Sequence, residues 1–344
     1  MQLWKHRTRA ERVAADLGLA SGILMYHRVA RESHDPWDLC VTPEHFAEQL
    51  EVLRRRARCV PLGDIVCRWR QRPGQVRIAV TFDDGYRGNL KQALPLLERF
   101  DVPATVFVSS GFIGSGREFW WDALERCLLR PRSLPAVLQL RVAGEERSWA
   151  VASEPGDAES GTWRADRTTA RTARQRLFLE LWELLVVLEA KERERALDEL
   201  VKWSGVEPHA PAESLPMRLD ELRELARHPL IRIGGHTRWH QPLPSLSPAA
   251  QRDEIEVGRR DLERLIGRPV TTFSYPYGRH DRVTSAIVRE LPFELACTSR
   301  PAPLTAVARR FTLPRLQVVE AGGDAFSHWL NQLFPSLARQ VAHA

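Results

Sequence analysis

The sequence has no Cys-x-x-Cys spacing, no apolar run of membrane-spanning length and no long run of basic residues. Its five cysteines, Cys40, Cys59, Cys67, Cys127 and Cys297, are odd in number and scattered. That excludes a disulfide framework or a zinc knot and predicts reduced thiols in an intracellular setting. The stretch 1–18 is charged (Lys5, Arg7, Arg9, Glu11, Arg12, Asp16) and lacks the apolar centre of a secretory signal. The apolar run 177–188 is interrupted by Glu180 and Glu183 and is too short to cross a bilayer. A cytoplasmic chain with no transmembrane segment is therefore expected, with peripheral membrane contact left open. No unit repeats at the period of a solenoid or propeller. Fifty Lys+Arg against 44 Asp+Glu leave a net charge of +6 over 344 residues. So small and dispersed an excess does not predict nucleic-acid binding, which needs a clustered basic face. Oligomeric state is not legible.

What is present is a rhythm of short apolar runs and amphipathic segments. Residues 22–29, 76–82, 104–108, 230–234, 270–275, 293–298 and 313–319 have the character of buried strands. Most are separated by helical patterns, at 44–56, 90–100, 249–265 and 281–291, with a last helix from Asp324. Thr42 followed by Pro43 has the form of an N-cap and first helical residue. About seven strands alternating with helices predict an α/β barrel, and 344 residues suffice for one with an insertion. The rhythm breaks between 120 and 215. There a hairpin (137–142 with 148–152), a loop at 154–161 and one long helix over about 172–203 are expected. The predicted organisation is an N-terminal helical extension (1–21), a barrel (22–119 and 216–335) and a mainly helical insertion (120–215).

Two groups of residues carry chemistry. Asp83 and Asp84 stand back to back where strand 76–82 ends, and Gly85 lets the chain turn. At a barrel's catalytic rim two adjacent carboxylates can take different roles, although an Asp at a strand–helix turn also serves as a plain N-cap. His236 and His240 follow another apolar strand, four residues apart, as on one side of a helical turn. Two imidazoles and a carboxylate can hold a divalent ion with positions left for water and substrate. Two ordinary surface or core histidines remain the alternative.

The segments Thr81-Phe82-Asp83-Asp84-Gly85 and His236-Thr237-Arg238-Trp239-His240 resemble the first two motifs of the polysaccharide deacetylase family, carbohydrate esterase family 4. Phe273-Ser274-Tyr275-Pro276-Tyr277-Gly278 resembles its third. The resemblance implies a distorted (β/α)7-type deacetylase barrel and metal-dependent removal of N-acetyl groups from an amino sugar or glycan. Asp84, His236 and His240 would bind the metal, with zinc the expected ion, and Asp83 would be the general base. The Tyr277 backbone N–H would stabilise the oxyanion, and Trp239, Tyr275 and Pro276 are the candidate sugar contacts.

The family's general acid is usually a histidine on a late strand, and strand 293–298 has none. Ile23-Leu24-Met25-Tyr26-His27 resembles instead the poly-β-1,6-N-acetylglucosamine deacetylase branch, whose histidine strand comes first in a circularly permuted barrel. His27 is the expected acid, with a core histidine as the alternative. The third motif departs from the family at its first position, where Ser274 replaces an arginine that orients the catalytic carboxylate. The Asp/Trp motif that supports that arginine is not evident either. Arg315 is the candidate replacement cation, with a surface arginine as the alternative. Trp120 and Trp121 read as packing residues. An O-acetyl esterase, a non-sugar amide hydrolase with the same metal site, and an idle glycan-binding domain are the competing functions.

Overall fold

The computed structural model describes residues 21–66, 75–151, 161–305 and 308–337. Apart from Ser21, which begins a strand, the expected N-terminal helical extension (1–21) lies outside the described residues, as do nearly all of the 154–161 loop and Cys67.

The strands are β1 Ser21–Tyr26, β2 Arg28–Val29, β3 Cys40–Val41, β4 Arg58–Cys59, β5 Arg77–Phe82, β6 Ala104–Val108, β7 Val137–Val142, β8 Glu145–Ala150, β9 Ile231–Gly235, β10 Thr272–Ser274, β11 Leu295–Cys297 and β12 Leu316–Gln317. One parallel sheet runs β11-β10-β9-β6-β5-β1-β12, with β4 beside the start of β5. Every residue of β1, β5 and β6 is buried. A parallel strand covered on both faces is apolar throughout rather than alternating, so these three showed as unbroken runs.

The sheet curls until its ends meet. Leu313 bridges Cys297 in parallel, the Arg315 N–H donates to the Arg300 carbonyl (3.1 Å), and Leu316 then pairs with Leu24. Residues 313–317 thus span the seam between β11 and β1. The result is a distorted (β/α) barrel.

The helices are α1 Pro43–Arg56, α2 Leu62–Ile65, α3 Leu94–Phe100, α4 Trp120–Leu128, α5 Ala173–Val186, α6 Ala190–Ser204, α7 Leu219–Arg227, α8 Pro248–Ile266, α9 Arg282–Glu290 and α10 Gly323–Leu333. The Thr42 side chain caps α1 as expected, accepting from the His45 N–H, with Pro43 in the first turn. Among the described residues no helix is long and apolar enough to cross a membrane.

Several expectations need correction. The strand expected over 22–29 breaks at His27, and Arg28–Val29 pairs with β3 in a separate small sheet. The helix expected over 90–100 begins as a π turn, Asn89–Ala93, before α3. Pro95 has no N–H for the carbonyl four residues back, and the wider turn accommodates it. The second hairpin strand starts at Glu145, because Ala143 and Gly144 form the turn with φ of 53° and 80°.

The long helix expected over 172–203 is two helices, α5 and α6, separated at Val187–Glu189. A continuous helix of that span would be about 48 Å long. Broken, both halves lay their apolar faces on α4, and the Leu188 carbonyl freed at the break accepts from Gln241 Nε2 (3.0 Å). These elements form a second apolar core around Trp121, Leu124, Leu138, Phe178, Leu181 and Leu200.

Candidate metal centre and catalytic rim

Parallel strands bring their C-terminal ends to one rim, and four of those ends supply the site. The ladder between β1 and β5 pairs Tyr26 with Phe82, and the Asp83 N–H extends it by donating to the Tyr26 carbonyl (3.0 Å). His27 and Asp83 therefore leave neighbouring strands at the same level. Asp84 then takes φ of 72°, and Gly85 closes the turn with φ of 92° and an N–H bond to Asp83 O (2.9 Å).

His236 follows β9, and its N–H donates to Val108 O (3.1 Å). The segment to His240 is not the helical turn the spacing suggested, because Thr237 and His240 both have positive φ, 62° and 54°. Glu254 on α8 fixes this irregular loop, accepting from the N–H groups of Arg238 (3.2 Å) and Trp239 (2.8 Å). Tyr277 is left-handed as well, at φ 57°. Non-glycine residues adopt that region at a cost, and such residues gather at functional sites. Here Asp84, Thr237, His240 and Tyr277 all do so within the three motifs.

Asp84, His236 and His240 form the one metal-capable group among the described residues, with ligand atoms within 4.8 Å of one another. Asp84 Oδ1 lies 3.5 Å from His236 Nε2 and 3.4 Å from His240 Nε2, and the two Nε2 atoms are 3.1 Å apart. His236 Nδ1 donates to the Ser274 carbonyl (2.7 Å), which leaves the Nε2 lone pair facing inward, as in metal-bound imidazoles. Asp84 Oδ1 is buried with no hydrogen-bond partner. An orphaned carboxylate oxygen facing two imidazole nitrogens is costly unless a cation fills the gap, so the donor set fits a divalent ion. Burial pushes His240 down to about 3 and keeps it neutral, as a ligand must be. Burial would raise Asp84, but the two histidines outweigh it and hold the carboxyl below its ordinary range. Burial likewise opposes a charge on His236, yet Asp83 and Asp84 leave it raised.

Asp83 points to a different partner. Arg315 Nη1 and Nη2 lie 2.6 Å from its Oδ1 and Oδ2, a bidentate pair. Arg315 is fully buried. Its Nε donates to Thr298 O (3.1 Å), and Nη2 donates to Ser274 Oγ (2.8 Å), which itself donates to Asp83 Oδ2 (3.3 Å). The cation thus sits against the very serine that occupies the family arginine's place; it is not on the surface. Burial would raise the Asp83 carboxyl, but Arg315 outweighs that and holds it well below the usual carboxylate range.

His27 is half-buried; burial lowers its pKa, with Arg315 and His236 acting the same way and Asp84 and Asp83 opposing it. The expected sugar contacts divide. Tyr275 is fully buried, edge-on to Phe273, with its hydroxyl donating to Phe311 O (3.1 Å). Its ring lies in the apolar core with Phe273, Ile287 and Val288, on the opposite face of the chain from Ser274, and is not available to a sugar. Pro276 is buried too. Trp239 is half-buried and edge-on to Phe112. The Tyr277 and Trp121 rings flank His240 at 4.6 and 4.7 Å.

Sequence reasoning missed Glu254, Gln241 and Arg193. Arg193 donates to Trp239 O (3.3 Å) from α6, and with Gln241 it ties the inserted helices to the histidine loop. Gln241 directly follows His240, which was a usable signal; the other two had none.

The sequence model of the family described as polysaccharide deacetylase matches residues 70–134 and 201–296. YxkH of Bacillus subtilis (strain 168) is 24% identical over 115 residues, which is 33% of this chain and 41% of that protein. The match thus spans less than half the length of that curated relative. Solved structures share the fold, two of them as follows. The Streptococcus pyogenes deacetylase PplD, solved in complex with acetate, superposes with a TM-score of 0.55 at 16% identity, covering 92% of this chain and 98% of its own. IcaB from Ammonifex degensii superposes with a TM-score of 0.52 at 19% identity, covering 90% and 96%.

Proposed function

Since the chain belongs to the polysaccharide deacetylase family, we propose that it is a metal-dependent hydrolase that removes N-acetyl groups from an amino sugar or glycan. The observation that carries this reading is the juxtaposition of an unsatisfied Asp84–His236–His240 donor set with a second, separately held carboxylate, Asp83. A divalent ion in that set, with zinc preferred by two imidazoles and one carboxylate, would polarise the acetyl carbonyl and acidify a water.

The chain's own residues supply the rest. Arg315 and Ser274 fix the Asp83 carboxylate and keep it ionised. The pairing that keeps Asp83 ionised also makes it a weak base. Its part is to hold the attacking water by a hydrogen bond and take the proton as the bond to carbon forms. The Tyr277 backbone N–H would donate to the oxygen on which charge develops. His27, across the rim, would protonate the leaving amine. Trp239 would present its exposed part to the sugar.

A cytoplasmic location agrees with the four described cysteines being unpaired. It would make the substrate a glycan precursor, lipid-linked or nucleotide-linked, rather than a finished extracellular polymer. Cell fractionation tests this: recovery of the native protein outside the cytoplasm overturns it. The activity itself is tested by acetate release from N-acetylglucosamine oligomers of several linkages, with the zinc-loaded protein and Asp83→Asn side by side. Acetate from the wild type alone is expected. Bound zinc with no acetate from any N-acetylated sugar contradicts the proposal.

A further inference from the structure

Helices α4 and α6 and the loop carrying Trp239 enclose a cavity of about 320 Å³, whose lining includes none of Asp84, His236 and His240. Trp120, Arg193, Leu197, Val201 and Trp239 are among its walls. Arg193 is the unusual member. It is 2% exposed, and its guanidinium carbon lies 5.3 Å from the centre of the Trp120 ring. One nitrogen, Nη2, donates to Trp239 O, but Nη1 is buried with no hydrogen-bond partner. Two other arginines of the cavity are paired, Arg126 with Glu118 and Arg117 with Asp198. Glu194 also lines the space, yet among the described residues no carboxylate lies at ion-pair distance from Arg193.

A buried guanidinium that feels Glu254 and Glu194 only from beyond ion-pair distance is unfavourable unless something else supplies a closer counter-charge. Arginine's planar fork matches carboxylate and phosphate oxygens, and tryptophan faces pack against the apolar faces of sugar rings. The volume is at the small end of ligand sites, which suits a single sugar ring.

We propose that this cavity is a subsite for an oxyanion-bearing sugar, with Arg193 as the partner of the anion and Trp120 and Trp239 as the walls. In naming an acidic glycan as substrate, the proposal rests on the deacetylase reading; the binding site itself does not. Trp239 belongs both to this cavity and to the histidine loop, so an acidic unit held here would sit beside the sugar presented to the rim.

The test is calorimetric titration of the full chain, treated with chelator so that binding is independent of catalysis. Glucuronic acid, glucose 6-phosphate and glucose are the probes. At least one acid is expected to bind ten-fold or more tighter than glucose, and the better of the two identifies carboxylate or phosphate as the preferred group. Arg193→Met should abolish that preference. Because Arg193 also holds the Trp239 carbonyl, Val201→Phe provides a second variant, which fills the cavity from α6 and should lose binding as well. Equal affinity for glucose, no binding of any probe at millimolar concentration, or wild-type affinity in either variant overturns the subsite. Acetate release without acid binding would sink the subsite and leave the deacetylase reading intact.

Discussion

Arg315 crosses the barrel seam and clasps both carboxylate oxygens of Asp83 at 2.6 Å, with no solvent reaching the guanidinium. The pair couples closure of the sheet to the site, since residues 313–317 bridge β11 and β1. Breaking a buried pair from one side leaves a charge stranded, at a cost of about 3–5 kcal/mol. Arg315→Met is expected to lose roughly that much in urea unfolding at neutral pH. In the wild type the folded Asp83 value is depressed, so the pair's contribution is present at neutral pH and is lost only as pH falls through that low value. In the variant, burial raises the unpaired carboxyl, which takes a proton at mild acidity, so the stability gap narrows as pH falls. The acidic limb of the pH–rate profile should move to higher pH for the same reason. An unshifted limb would separate Arg315 from the chemistry.

Metal binding should weaken with acid in a particular way. Asp84 stays ionised because its carboxyl is held low, whereas His236 is raised by its carboxylate neighbours. Protons therefore compete with the ion at His236 first. Zinc affinity, measured against a competing chelator, should fall as pH drops into the range at and just above that of an ordinary histidine, and His236→Ala or Asp84→Asn should reduce bound zinc from one ion per chain to none. Affinity independent of pH would mean that the ion binds elsewhere.

Helix α8 holds the histidine loop as closely as backbone can approach backbone. A Cβ on Gly258 would lie 2.7 Å from the Thr237 carbonyl carbon and 2.9 Å from Arg238 N, with Glu254 one turn away accepting from the same loop. Gly258→Ala and Glu254→Ala are each expected to lower zinc affinity about 10–100-fold, as loss of outer support does in metal sites. Unchanged affinity in both would show that the loop holds its shape unaided.

His27→Gln should leave zinc content intact while lowering the rate on N-acetyl sugars by about 10²–10⁴-fold, the usual worth of a general acid. An aryl acetate ester, whose leaving group needs no proton, should show a far smaller loss. Equal losses on both substrates would assign His27 a structural role.

The site was more legible than its support. Largely buried strands announce themselves as apolar runs; Asp83 and Asp84 follow the end of one, and the loop from His236 to His240 follows another. For residues brought together by non-local closure the sequence left the choice open: Arg315 could be named as a candidate cation but not told from a surface arginine. Arg315 lies in a short Leu-Pro-Arg-Leu-Gln segment whose burial follows only from the seam. The break between α5 and α6 has neither proline nor glycine; it comes from packing both halves on α4 and from the Gln241 bond to Leu188. Spacing alone suggested a helical turn for His236 and His240, but the left-handed Thr237 and His240 are held by Glu254, a residue that no motif marks.

The central claim, that three side chains share one ion while Asp83 stays outside its ligand set, is tested most directly by anomalous diffraction from zinc-loaded crystals. The account predicts a single zinc peak about 2.0–2.2 Å from Asp84 Oδ1, His236 Nε2 and His240 Nε2, with Arg315 still forked onto Asp83. A peak lying elsewhere, or one ligated by Asp83 with the Arg315 pair broken, would contradict it.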